Sequence, residues 1–213
     1  VIKASGERQR FSKRKLARSL KNAGATSDMI ARITESVLAD LDDGITSKEI
    51  YEKAFDILKQ ERRGVALQYN LRNAVMDLGP SGFPFEKFVG EVLKRHGYTV
   101  DVGVMMKGWC VEHEVDVSAK SKDGAHIMIE CKYHNHRGMK SDLKVALYVY
   151  SRFEDIEKRH EHDNAEGSRY HEGWLVTNTK LTTKAIQFGK CSGLRTIGWN
   201  YPKGGSLQDL IIT

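Results

Sequence analysis

Two short segments near the middle of the chain most constrain its fold, because each places charged residues in an apolar strand pattern. The first is Val-Glu-His-Glu-Val-Asp-Val, residues 111–117, and the second is His-Ile-Met-Ile-Glu-Cys-Lys, residues 126–132. Side chains alternate between the two faces of a strand, so Glu130 and Lys132 share one face. The pattern predicts a β-hairpin that carries Asp116, Glu130 and Lys132 near one end.

The length of the hairpin loop decides whether the two carboxylates oppose each other. A two-residue turn would place Asp116 across from Cys131, whereas a three-residue loop with Gly124 in the left-handed conformation places it across from Glu130. Only the second register, or a bulge nearer Asp116, lets both carboxylates reach one ion. The alternative is an exposed hairpin with solvated charges, which requires no particular loop length.

The residue types in this hairpin suit metal-dependent cleavage of a phosphodiester. Two carboxylates can hold Mg²⁺ (or Mn²⁺), a hard cation that prefers oxygen ligands. An ammonium on the same face can orient or deprotonate an attacking water, or stabilise charge that develops on phosphorus. We therefore expect Asp116 and Glu130 to be metal ligands and Lys132 to be catalytic.

Composition and charge describe an ordinary globular chain with a basic beginning. Its 213 residues suit one large or two small domains, and 40% of them are hydrophobic. No apolar run approaches the length of a membrane span, and the three cysteines lack framework spacing, which predicts a cytoplasmic protein without a membrane partner. Residues 1–21 contain eight Lys or Arg against one acid, so this segment carries more than the whole net charge of +6.

The first eighty residues predict a short β-hairpin followed by four helices. The helices begin near Ser12, Ser27, Ser47 and Arg62, and the fourth is expected to bury Leu67, Leu71 and Val75. The segment 79–84 then contains two of the three prolines, which predicts a boundary between a domain of residues 1–79 and a domain of residues 80–213.

The second domain alternates helices and strands, which predicts an α/β fold with a central mixed sheet flanked by helices. The charge-rich run from Arg152 to Glu166 is expected to be a solvated helix end and loop. A zinc site is an open alternative at Cys110 and His113 with His134 and His136, although the spacing is not that of a common finger and His113 suits the core. The expected elements are helices at 85–96, 143–158 and 181–190, with strands at 98–106, 111–119, 125–132, 174–177 and 194–199.

The second domain resembles the Mrr-type restriction endonucleases of the PD-(D/E)xK group. The resemblance rests on Phe85-Glu86, Gly97-Tyr98, the Asp116 strand and the Glu130-Cys131-Lys132 strand, together with residues 174–185. It implies a metal-dependent endonuclease that acts on DNA, with Glu86 as an additional catalytic acid near the metal. The other interpretation of Glu86 is a first-turn carboxylate that complements the helix dipole.

The first domain resembles the ATP-cone, a mostly helical nucleotide-sensing domain with a small β-hairpin cap. The resemblance rests on Val1-Ile2-Lys3, Gly6, Phe11, Lys15, residues 44–47, Ile50 and residues 66–69. It implies that Val1 and Lys3 line the nucleotide pocket, that Lys15 meets phosphate and that Ser47 contacts the base. The alternative is a basic surface that only solubilises the chain or touches DNA.

Together these features predict a nucleotide-regulated, Mg²⁺-dependent DNA endonuclease. ATP or dATP would be an allosteric ligand, because the chain has no Gly-x-x-x-x-Gly-Lys-Ser/Thr loop for hydrolytic work. A symmetric homo-oligomer, at least a dimer, is expected, because one centre per chain cuts one strand. The alternative from another class is a nuclease fold without activity that serves as a nucleotide-sensing DNA-binding or assembly module.

Overall fold

The structure is a computed structural model that describes residues 1–2, 6–136, 138–163 and 170–212. By its internal contacts the chain divides into two units, Val1–Ala74 and Val75–Thr213. Within the described residues, every helix is too short or too polar to cross a membrane.

The first unit consists of four helices and two short β-bridges. The helices are α1 (Lys13–Asn22), α2 (Ser27–Ala39), α3 (Ser47–Glu61) and α4 (Arg63–Met76), the last of which extends into the second unit. Ile2 bridges Arg8 antiparallel and Thr46 parallel, so the β-cap pairs with the chain that precedes α3. Thr46 and Glu49 form a reciprocal capping box at the start of α3, which fixes where this helix begins.

The core of the first unit differs from the expectation at α4. Leu67 is 69% exposed, and the buried side chains of α4 in this unit are Val65, Ala66 and Tyr69. The stacking of Tyr69 on Tyr51, with ring centroids 4.7 Å apart, turns this face of the helix inward. The predicted burial of Leu67 is therefore wrong.

The second unit alternates helices and strands around a five-stranded mixed sheet. Its elements are α5 (Phe83–Arg95), β1 (Thr99–Lys107), β2 (Glu112–Lys120), β3 (His126–Lys132), β4 (Lys140–Ser141), α6 (Leu143–His162), β5 (Glu172–Thr177), β6 (Lys180–Leu181), α7 (Thr183–Ser192), β7 (Arg195–Ile197) and α8 (Leu207–Ile212). The strand order in the sheet is β1-β2-β3-β5-β7, in which β1, β2 and β3 are antiparallel neighbours and β3, β5 and β7 are parallel. The predicted α/β fold with a mixed central sheet is confirmed.

Strand β3 is buried on both faces, as its apolar sequence indicates. Met128 belongs to the core formed with α6 and α7, and Ile127 and Ile129 point to the opposite face. Helix α5 packs against β1 at Gly90, where an added Cβ would lie only 3.1 Å from Val102, and it also contacts β2 and β3. Strand β3 therefore contacts helix α5 as well as the core that it shares with α6 and α7.

Candidate active site

The hairpin between β2 and β3 has the three-residue loop that the site requires. Ser121 N donates to Ala125 O at 2.9 Å, and Gly124 has φ +92°, the left-handed conformation. The ladder runs from the pair Lys120–His126 to the pair Val117–Ile129, which is the register that a three-residue loop requires. The predicted register is confirmed over these pairs, and the ladder ends one residue before Asp116 and Glu130.

Asp116 is half-buried and bound to the neighbouring strand. Its Oδ2 accepts a hydrogen bond from the backbone N–H of Cys131 at 2.7 Å. Burial raises the pKa of Asp116, while this hydrogen bond and the nearby guanidinium of Arg152 act in the opposite direction. The Asp116 carboxylate is thereby fixed beside the strand that carries Glu130.

Glu130 is held by an arginine from α6. Arg152 Nη1 donates to Glu130 Oε1 at 2.6 Å, and the two side chains are only 10% and 15% exposed. Arg152 Nη2 also donates to the backbone carbonyl of Glu114. The other carboxylate oxygen, Glu130 Oε2, is buried and has no hydrogen-bond partner. One oxygen of Glu130 is therefore fixed, and the other is a buried acceptor without a partner.

Glu86 lies in the first turn of α5 and is electrostatically coupled to the same group. Burial and the negative charges of Asp116 and Glu114 raise the pKa of Glu86 to about 7. Burial and the charge of Asp116 raise the pKa of Glu130 to about 7 as well, against the opposing effect of Arg152. The charge of Asp116 thus acts on both glutamates, and the charge of Glu86 also raises the pKa of Glu130.

The carboxylate cluster fits a hard divalent cation. Buried like charges are unfavourable without a counter-charge, and Glu130 Oε2 is a buried oxygen without a partner. In the parts of the chain that the structure describes, no three His, Cys, Asp or Glu side chains enclose an ion by themselves. Two carboxylates suffice for Mg²⁺, which usually keeps several waters.

Lys132 is exposed at the end of β3, at the edge of a pocket of about 310 Å³. The pocket is also lined by Gly82, where an added Cβ would lie 3.2 Å from Glu86 Oε1. The positive charge of Lys132 lowers the pKa of Asp116, a smaller effect than that of burial. Lys132 and the Glu86 carboxylate therefore approach the same opening.

Arg152 is a residue of the site that the sequence prediction does not identify, because the prediction places the charge-rich run that begins at Arg152 in solvent. Arg152, Ile156 and His160 are buried, so the expectation of a solvated helix end is wrong for this side of α6; residues 164–166 of the run lie outside the described residues. The missed signal is the spacing of Val149, Arg152 and Ile156, three and four residues apart, which places the arginine within an apolar stripe.

The open zinc alternative finds no support in the arrangement of its residues. His113 Nε2 lies 2.8 Å from Asp155 Oδ2, and the Asp155 carboxylate also accepts from the backbone N–H of Cys110. His134 instead contacts Ser141, with Nε2 and Oγ 3.1 Å apart. His113 is a partly buried histidine with a partner, as the sequence indicates.

The first unit contains a pocket of about 520 Å³ at the β-cap, lined by Val1. Lys15 does not line it but donates through Nζ to Oε1 of Gln9, a lining residue, at 3.0 Å. Ser47 lies beside the cap, since its N–H donates to Ile2 O at 2.8 Å. Lys3 lies outside the described residues. Other lining residues that the sequence did not single out are Arg8, Arg10, Asp42 and Asp43.

Residues 79–198, more than half of the chain, match the family model of the Mrr_cat restriction endonuclease domain. The chain belongs to the Mrr restriction endonuclease family. Residues 1–71 match the ATP cone domain. Both resemblances that the sequence indicates are therefore confirmed for this Mrr-family chain.

Relatives extend the comparison without adding an activity. An uncharacterized protein of Archaeoglobus fulgidus is 36% identical over 123 residues, which cover 58% of this chain and 64% of the relative. The crystal structure of a protein of unknown function, AF1548, is 35% identical with a TM-score of 0.54, over 61% of this chain and 65% of that one. A repair endonuclease from Pyrococcus abyssi is 20% identical with a TM-score of 0.41, over 55% and 46%. The chain thus spans less than two thirds of the length of these proteins.

Proposed function

We propose that this chain is a nucleotide-regulated, divalent-metal-dependent DNA endonuclease. The observation that carries the proposal is the unpartnered, buried Oε2 of Glu130. Glu130 precedes Cys131, whose N–H donates to Asp116 at 2.7 Å, and lies two residues before Lys132. Family membership supports phosphodiester hydrolysis as the reaction. The residues assigned to it are Glu86, Asp116, Glu130 and Lys132.

Each side chain has a role that follows from its surroundings. Asp116 and Glu130 would hold the metal, and Mg²⁺ or Mn²⁺ supplies positive charge against the scissile phosphate. Lys132, exposed at the pocket, orients the attacking water or stabilises the charge that develops on phosphorus. Glu86, whose pKa is about 7, can carry a proton to or from the reacting groups near neutral pH.

The ATP cone supports regulation by ATP or dATP. The 520 Å³ pocket at the cap is large enough for a nucleotide and contains cationic side chains from Arg8 and Arg10. Lys15 donates to Gln9 of the pocket lining and would meet phosphate oxygens there. We assign Val1, Lys3, Lys15 and Ser47 to this site, and a dimer or larger homo-oligomer to the regulated form.

A second candidate is a nucleotide-sensing DNA-binding module without nuclease activity. The observation that favours it is the ion pair between Arg152 and Glu130, because a guanidinium already neutralises one oxygen of a proposed metal ligand. The two candidates differ in one respect that can be measured. The nuclease cuts DNA when a divalent cation is present, and the module binds DNA without cutting it.

Nicking of a supercoiled plasmid separates them. The full chain is incubated with Mg²⁺, Mn²⁺ or EDTA, each with and without ATP. The proposal predicts cutting only with a divalent cation, a rate that changes with ATP, and loss of cutting in Asp116→Asn. Asp123→Asn, an exposed aspartate in the loop of the same hairpin, is the matched control and should cut normally. DNA binding without cutting in every metal would favour the second candidate.

A further inference from the structure

Helix α6 carries three residues at four-residue intervals that lead from solvent to the candidate active site. Lys144 and Tyr148 are exposed and Arg152 is buried, so the three form one stripe along the helix, the α6 stripe. The Tyr148 side chain is 61% exposed, an unusually large fraction for an aromatic residue. Arg152 holds Glu130, whereas Lys144 and Tyr148 have no assigned role in the proposed cleavage.

Tyr148 is joined to the catalytic cluster by two successive contacts. Arg152 Cζ lies 5.4 Å from the centroid of the Tyr148 ring, and Arg152 Nη1 lies 2.6 Å from Glu130 Oε1. Arg152 Nη2 also donates to the carbonyl of Glu114, so both terminal nitrogens of the guanidinium are hydrogen-bonded. The guanidinium is therefore fixed in position where it contacts the Tyr148 ring. The ring is therefore an ordered aromatic surface beside the proposed site of cleavage.

The surroundings of the ring match a polyanionic strand with exposed bases. Lys144 lies one turn before Tyr148 on the same side of α6, so a cation accompanies the exposed ring. Cations that follow a backbone, combined with an aromatic ring that stacks on a base, are how proteins hold unpaired nucleic acid.

We propose that Tyr148 is a stacking platform for an unpaired DNA base next to the scissile phosphate. In an intact duplex both faces of a base are covered by its neighbours, so an exposed ring gains a stacking partner only where the strand is unpaired or a base is extruded. The preferred substrate is therefore DNA with unpaired nucleotides. This inference rests on the proposed nuclease function, whose substrate it makes specific.

Fluorescence anisotropy tests the platform without requiring cleavage. The full chain is titrated, in EDTA, into a labelled single strand and into the fully paired duplex of the same sequence. Tyr148→Ala should weaken single-strand binding about five- to a hundredfold, the range for loss of one stacked base, and duplex binding less than about twofold. Tyr148→Phe, which keeps the ring, should bind like the parent, and Tyr148→Leu, which keeps only apolar bulk, should resemble Tyr148→Ala.

Trp109→Ala is the matched control, because Trp109 is also an exposed aromatic, at 50%, and belongs to the same unit. It packs near His162, fourteen residues beyond Tyr148 and so about 21 Å further along α6. Its loss should leave single-strand binding unchanged. Equal weakening of single-strand and duplex binding by Tyr148→Ala, or no weakening at all, would overturn the platform.

Failure of this inference can be told from failure of the proposed function. A chain that nicks plasmid with Mg²⁺ but binds single strands independently of Tyr148 keeps the nuclease and refutes the platform. A chain that binds single strands through Tyr148 but cuts no DNA in any metal keeps the platform and refutes the nuclease.

Discussion

Arg152 Nη1 lies 2.6 Å from Glu130 Oε1, and this ion pair joins helix α6 to strand β3. The pair is nearly buried, and Glu130 Oε2 faces no partner. The arginine thus neutralises part of the carboxylate cluster and fixes Glu130 in one position. It is a positioning residue, because it acts on the site through Glu130.

Removal of one partner of this pair should destabilise the second unit. Arg152→Met leaves a buried carboxylate without its cation, which costs about 3–5 kcal/mol for such pairs. Glu130→Gln should also be strongly destabilising by itself, because it leaves the guanidinium without a counter-charge. The loss of unfolding free energy in the double variant should be much smaller than the sum of the losses in the two single variants. Urea denaturation of the four variants in a double-mutant cycle measures the coupling. Additive effects would show that the pair contributes no coupling.

ATP should raise the melting temperature of the first unit, because a ligand that binds only the folded state stabilises it by mass action. At a hundredfold excess over the dissociation constant the gain is about 2.7 kcal/mol, which corresponds to a shift of several degrees. Lys15→Ala and Lys3→Ala should lose most of the shift. Lys21→Ala, in the last turn of the same helix as Lys15, and Lys132→Ala should keep it. If all four variants respond alike, the cone pocket is not the nucleotide site.

Nucleotide state should also change self-association, and with it the cleavage rate. For coupling to exist, ATP must bind one assembly state better than another, and assembly must in turn alter the affinity for ATP. Light scattering of the full chain with ATP, with dATP and without nucleotide measures the mass, and plasmid nicking measures the rate. A mass and a rate that stay the same in all three conditions would contradict regulation by the cone.

The Asp155 network should support the second unit only above strongly acidic pH. Burial raises the pKa of Asp155, but hydrogen bonds from His113 and from the backbone N–H groups of Cys110 and Val111 outweigh it and lower the pKa to about 2. A carboxylate with a lowered folded pKa stabilises the fold above its unfolded pKa of 3.8, and this stability is lost as the pH falls towards 2.

Thermal unfolding between pH 5 and 2, at roughly half-unit steps, measures this dependence. Asp155→Asn should be less stable than the parent at pH 5, and the difference should shrink as the pH falls. Asp101→Asn, which alters an exposed aspartate of β1, should run parallel to the parent. A constant difference between Asp155→Asn and the parent across this range would contradict the network.

Loop and capping residues, which act on their near neighbours in the chain, account for much of the fold prediction. Gly124 and the loop length together determine the register of the hairpin, because a three-residue loop with its glycine in the left-handed conformation permits only one pairing of the strands that it joins. Capping residues likewise determine where helices begin: the Ser12 side chain accepts a hydrogen bond from the backbone N–H of Lys15, as expected for the N-cap of α1. Such features need only neighbouring residues, so the sequence is sufficient for them.

Tertiary contacts account for what the sequence did not reveal. Leu67 and Tyr69 lie on different faces of α4, and the stacking on Tyr51, which decides between them, joins residues eighteen positions apart. The charge of Arg152 predicts an exposed side chain, whereas its position between Val149 and Ile156 predicts a buried one. Its burial depends on a carboxylate from another element, which periodicity within one helix does not show.

The most direct test of the account is Mg²⁺-dependent nicking by Glu130→Gln in comparison with Glu112→Gln. Glutamine keeps the shape of the side chain and removes the charge that a metal ligand needs, and Glu112 is an exposed glutamate at the start of β2. Because Glu130→Gln is expected to be destabilised, nicking is measured at a temperature at which circular dichroism shows both variants to be folded. We predict that the nicking rate of Glu130→Gln falls at least about a hundredfold and that Glu112→Gln cuts like the parent. Undiminished cutting by folded Glu130→Gln would contradict the assignment of the active site.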